Sequence, residues 1–171
     1  MLGKTHAVAG FCLGVALSAT AAPAEAVIII GETVLGSLAP DIDHKNSTIS
    51  KKLRPVGFVA SAVAGHRTLF HNVFAYTAAF AALWYFAKPT AFFLIPFFAG
   101  IASHLLLDAL NPMGIPLLFG GRIHLANIHT GSKAEDVLRG LLKVLCFAAL
   151  LWYALGQAHV LQRGVLNGLL G

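Results

Sequence analysis

Eight histidines stand against seven carboxylates in this 171-residue chain, and most sit where they could act together. Asp41-Ile42-Asp43-His44 follows Pro40; His66 and His71 lie five apart; His104 and Asp108 lie four apart; His6 lies near the start. Imidazole with carboxylate suits zinc and other first-row divalent ions, whereas an all-oxygen set would suit magnesium or calcium. A closed zinc site needs four ligands. The eight candidates, His6, Asp41, Asp43, His44, His66, His71, His104 and Asp108, exceed that number, so two or more ions, or one ion with further charged groups around its ligands, are expected, most simply zinc. Such a centre makes water a nucleophile near neutral pH and steadies both oxygens of a displacement at phosphorus. Asp43 or Asp41 would then be the general base, and Arg67 would hold an anionic group by a bidentate contact. Singly these signals are weak. A His and an Asp four apart can merely hydrogen-bond, and one histidine at a helix end is usually interfacial. Their gathering at one depth is what carries the reading.

The elements that must position them are membrane helices. Hydrophobic residues make up 57% of the chain and charged residues 11%, against about 45–50% and about 25% in soluble domains. Too few charges remain to cover a water-facing surface. No Asp, Glu, Lys or Arg falls between Lys4 and Glu25, Arg67 and Lys88, Lys88 and Asp108, or Lys143 and Arg163. Each gap matches the roughly 20 residues that a helix needs to cross the hydrocarbon. The expected spans are residues 5–22, 68–87, 90–110 and 137–161, with a shorter run at 26–38 that contains Glu32. The expectation is an all-α polytopic bundle of about five transmembrane helices, forming one integral membrane domain over residues 1–171.

Five spans with a cytoplasmic N-terminus put ten cations inside and leave only Lys88 and Arg163 outside, a strong positive-inside bias. The net charge of +5 is thus mainly a topology signal, with attraction to anionic lipid secondary and nucleic acid not expected as a partner. Alternating helix directions then bring all eight candidates to the cytoplasmic end. His159 falls near the opposite face, while His124 and His129 lie in a turn-rich stretch on the same side as the cluster. Lys4, the following apolar run and Ala21-Ala22-Pro23-Ala24-Glu25-Ala26 also have the look of a cleavable signal peptide, whose removal would take His6 away. Cys12 and Cys146 both fall within spans and read as small apolar residues. Ser132-Lys133-Ala134-Glu135 fits a capping box before the last span.

Leu38-Ala39-Pro40-Asp41-Ile42-Asp43-His44, Gly65-His66-Arg67 with His71, Ser103-His104 to Asp108, and Asn111-Pro112-Met113-Gly114-Ile115-Pro116-Leu117-Leu118 together resemble the YdjM-type bacterial inner-membrane family. The resemblance runs from Thr5 to Glu135. It implies a membrane-bound metal-dependent hydrolase, under LexA control in some members, with Asp41, Asp43, His44, His66, His71, His104 and Asp108 at ligand-type positions and His6 matching an N-terminal histidine. Where the family commonly has His-Arg-Gly-x-Thr-His-Ser, this chain has His66-Arg67-Thr68-Leu69-Phe70-His71-Asn72, which puts any role of the two hydroxyls in doubt. The His-x-x-x-Asp pair is also similar to the zinc motif of phospholipase C and P1-type nucleases. The function expected is hydrolysis of an ester or phosphoester in a lipid or other amphiphile at the bacterial inner membrane. The rival is a divalent-metal or proton-coupled transporter, whose sites lie nearer the midplane on repeated, broken helices. A metal-stabilised scaffold is a third reading, but it would need a closed site.

Overall fold

The computed structural model describes residues 1–43, 71–117 and 121–170. They form six α-helices and one short hairpin, so the fold is all-α in class. In chain order these are α1 (Gly3–Leu17), α2 (Pro23–Leu38) continuing into a 3-10 turn (Ala39–Asp43), α3 (Val73–Phe86), α4 (Lys88–Phe93), α5 (Ile95–Ala109), β1 (Ile115–Pro116), β2 (Arg122–Ile123) and α6 (Lys133–Leu170).

Local chemistry sets these boundaries. The Ser18 hydroxyl donates to the Val15 carbonyl at 3.0 Å just beyond α1. Pro23 then opens α2, suited to a first turn by its missing N–H and fixed φ. The Asn72 side chain caps α3 by accepting from the Phe74 amide at 2.9 Å. Pro96 falls in the first turn of α5 and separates it from α4 at Leu94.

Among the described residues, two helical stretches are long and apolar enough to cross a membrane, Pro23–Asp41 and Lys133–Gln162. The spans expected at 5–22 and 68–87 correspond to helices of 15 and 14 residues, and the one at 90–110 is divided into α4 and α5. At 1.5 Å per residue, 15 residues reach about 22 Å, short of a hydrocarbon core of about 30 Å. Freedom from charge marked apolar segments well but did not register Ser18 or Pro96. Conversely the last helix runs beyond the expected 137–161, because nothing from Lys133 to Leu170 breaks it.

Helices α1, α2 and α5 pack on one another, and α6 packs on α1. Small residues allow close approach, as membrane helix interfaces require. A methyl group at Gly36 would lie 1.9 Å from the Phe97 carbonyl oxygen, and one at Gly100 would lie 2.2 Å from that of Thr33. Beside this contact Ile101, Leu105, Ala109 and Ile115 form a buried apolar cluster. By contrast α6 exposes Phe147, Leu151, Trp152 and Leu155. Such a face would be costly in water and is at home among lipid chains.

The start of α1 is held from another helix. The Glu135 carboxylate is fully buried. It accepts from the Leu2 amide at 2.7 Å, the Thr5 hydroxyl at 2.7 Å and the Gly131 amide at 2.6 Å. The Glu135 amide in turn donates to the Ser132 hydroxyl at 3.3 Å, so half of the expected capping box forms. The acid's other oxygen serves the N-terminus of α1, where a negative charge also complements the helix dipole. Glu135→Ala would strand these donors and should cost about 2–3 kcal/mol. A melting curve in detergent should fall by about 5–10 °C, and an unchanged melting point would refute the clamp.

Candidate metal centre

Five of the eight candidate ligands converge from four segments. His6 lies in the first turns of α1, Asp41 in the 3-10 turn after α2, His71 directly before the Asn72 cap, and His104 and Asp108 on consecutive turns of α5. Asp108 is the hub. Its Oδ1 lies 3.2 Å from His6 Nε2, and its Oδ2 lies 3.4 Å from His104 Nε2 and 3.6 Å from His71 Nε2. Asp41 Oδ1 closes the ring, 3.6 Å from His71 Nε2 and 3.9 Å from His104 Nε2. The His6 and His104 rings stack with centroids 3.8 Å apart, and His71 meets His104 edge-on. His6, His104 and Asp108 form one possible ligand group and Asp41, His71 and His104 another. Sharing His104, they are parts of a single cluster.

His104 shows what the cluster wants. Its Nδ1 lies 2.7 Å from the Ser37 carbonyl oxygen, which only accepts, so Nδ1 carries the hydrogen. In the neutral ring Nε2 is then a bare lone pair, and it faces carboxylate oxygens of Asp41 and Asp108. Nε2 is buried without a hydrogen-bond partner, as are both nitrogens of His6 and Nδ1 of His71. Buried polar atoms are nearly always satisfied, and lone pairs facing carboxylates repel. A cation among them resolves both. A backbone carbonyl fixing the far nitrogen of a ligating histidine is also the usual way such a ring is oriented. The donor set and the unsatisfied nitrogens therefore fit a divalent ion of the zinc type.

One cation is already at hand. The α-amino group of Met1 is buried 2.5 Å from Asp108 Oδ1, on the side facing His6. The end of α5 is secured by the loop beyond the hairpin, where the Leu125 amide donates to the Ala109 carbonyl at 2.6 Å and that of Ile128 to Leu110 at 3.0 Å. These bonds satisfy carbonyls that a helix end leaves open and so fix Asp108. A cavity of about 200 Å³ adjoins the cluster, lined by Asp41, His71 and Asp108 together with Asn111, Gly114 and Arg122.

His44, His66 and Arg67 lie outside the described residues, as does the Asp43 side chain, although the Asp43 backbone closes the 3-10 turn. His124 and His129 are exposed and belong to neither ligand group. Sequence reasoning missed the Met1 amine, the Ser37 carbonyl and the placing of Arg122. Backbone groups carry no residue signature, and Arg122 read only as an inside cation.

The family described as YdjM inner membrane protein matches residues 1–160. YvsG of Bacillus subtilis (strain 168) is 35% identical over 162 residues, covering 86% of this chain and 93% of that protein. Inner membrane protein YdjM of Escherichia coli (strain K12) is 35% identical over 97 residues, 53% of this chain, and its counterpart in Shigella flexneri matches equally. The alignment covers 48%, about half, of each of these two proteins' length. No solved structure matches. With the family matched along nearly the whole chain and relatives named for the inner membrane, this chain belongs to the YdjM family of inner membrane proteins.

Proposed function

We propose that this protein is a membrane-bound metal-dependent hydrolase acting on an ester or phosphoester of a lipid or amphiphile. The supporting observation is His104, whose buried Nε2 faces two carboxylates with its other nitrogen committed to Ser37. His6, His71, Asp41 and Asp108 complete a donor set for zinc, and their number, with Asp43 in the same turn as Asp41, favours more than one ion. When bound, such ions supply Lewis-acid chemistry, making water acidic near neutral pH and neutralising charge on the substrate.

The chain's own residues do the rest. Asp108 and Asp41 bring negative charge to the histidine ring nitrogens, and the Ser37 carbonyl holds His104 in one tautomer. Asp41, bordering the cavity, is placed to take the proton that water gives up, a role that Asp43 shares as a candidate. Arg67 remains a candidate anion contact on sequence grounds. The topology we propose has the N-terminus and metal centre at the cytoplasmic end, so the substrate would arrive from the inner leaflet.

The test is metal removal. Protein purified in neutral detergent should carry at least one tightly held zinc per chain. Chelation should abolish hydrolysis of generic phosphoesters or of lipid extracts, and zinc should restore it. Protein that holds no divalent metal would end the hydrolase reading. Metal-dependent flux across proteoliposomes without turnover would replace it with transport.

A further inference from the structure

The cavity beside the cluster has a second charged wall. Arg122 stands on β2 opposite Pro116, and its Nη1 donates to the Met113 carbonyl at 2.7 Å. Among the described residues it forms no ion pair. The turn before β1, whose Met113 carbonyl Arg122 meets, lies close against β2: Gly114 has φ +57°, and a side chain there would collide with the Ile123 carbonyl oxygen. Asn111 braces the same turn by accepting from the Met113 amide at 3.0 Å. A guanidinium has five N–H donors in a planar fork matched to phosphate, and one bond to Met113 leaves most of them for a ligand. An anion in this cavity would share it with Arg122 and with Asp41, His71 and Asp108 of the ligand cluster.

A second, apolar groove of about 410 Å³ runs between α3 and α5, lined by Val73, Phe80, Phe98, Ala102, Leu106 and Ile115. Their linings neighbour one another in the chain at two places. Ile115 of the groove lies between Gly114 and Pro116 of the cavity, and Val73 is two residues from His71. Ala102 and Leu106 are exposed, so the groove opens outward on their side of α5. A cationic cavity beside the cluster and an apolar groove lined by residues next to it in the chain match the two parts of a chain-bearing anion.

Building on the hydrolase reading, we propose that cavity and groove form one bipartite site for a phosphate-bearing amphiphile. Arg122 binds its phosphate and the groove between α3 and α5 takes its acyl chain.

Titration calorimetry in neutral detergent tests this with a phosphonate analogue of dihexanoyl phosphatidic acid, inorganic phosphate and dihexanoyl glycerol. The phosphonate lipid should bind at least about tenfold tighter than either fragment. Arg122→Gln should weaken both phosphate-type probes by about tenfold or more, with and without added zinc, while Lys88→Gln changes neither. Ala102→Phe, which fills the groove from its exposed edge, should weaken the lipid several-fold and leave inorganic phosphate unchanged. Equal affinity for lipid and inorganic phosphate in the wild type would overturn the lipid assignment. Wild-type affinity in Arg122→Gln would overturn the anion contact. An unaffected lipid affinity, or an altered oligomeric size, in Ala102→Phe would overturn the groove's occupant. Zinc content measured alongside reports on the hydrolase reading separately, because the Arg122 comparison needs no turnover.

Discussion

Asp108→Asn should lower bound zinc at least about tenfold and hydrolysis at least about a hundredfold, with helix content unchanged. The amide keeps the shape of the carboxylate but loses its charge and turns one oxygen into a donor. Either orientation is harmful. An NH₂ in place of Oδ1 faces His6 and the Met1 amine, and one in place of Oδ2 faces His71 and His104. Disturbing even the groups around a metal's direct ligands typically costs 10–100-fold in affinity or activity, and a hub that meets three histidines should exceed that. His159→Ala is the matched control, since His159 is exposed on α6 and far along the chain from the cluster. Metal analysis decides the matter: full zinc occupancy in Asp108→Asn would remove Asp108 from the ligand set.

The second large effect is on folding. Gly36→Leu and Gly100→Leu should each destabilise the protein by more than about 3 kcal/mol and reduce the yield of monodisperse material in detergent. The obstacle at Gly36 is the Phe97 backbone, and at Gly100 the backbones of Thr33 and Ser37. A neighbouring side chain could rotate away, but a helix backbone can yield only by separating α2 from α5. Gly31→Leu supplies the contrast, because a side chain there meets nothing within 4 Å on the same helix. Its melting temperature should match the wild type. Equal melting of Gly36→Leu and Gly31→Leu would show that α2 and α5 do not meet as described.

Much of this was legible in the sequence, for reasons that also explain what was not. Hydrophobic composition and charge-free gaps located apolar helices because desolvating a charge is so costly that its absence is informative. Helix ends were harder. Ser18 and Pro96 act through single hydrogen bonds or a missing one, and these shortened the expected spans at 5–22 and 90–110. The i, i+4 spacing of His104 and Asp108 put both on one face of a helix, and the structure brings His6, Asp41 and His71 to the same place. Glu135 read as a local cap because only its own helix was visible. Its bonds to Leu2 and Thr5 cross more than 100 residues of sequence and depend on how α6 lies against α1. Arg122 sat ten residues past the Asn111-Pro112 turn with no partner in view, and only the hairpin pairing with Pro116 carries it to the cavity.

The bond from His104 to the Ser37 carbonyl joins an α5 side chain to the α2 backbone across the contact that Gly36 and Gly100 permit. Were the proposed ion bound, its affinity and helix packing would be linked thermodynamically: whatever free energy it gained from an oriented His104, it would return as cohesion between α2 and α5. The apo state would be less a rigid empty cage than a bundle with a loosened seam, and the seam would tighten as the ion enters.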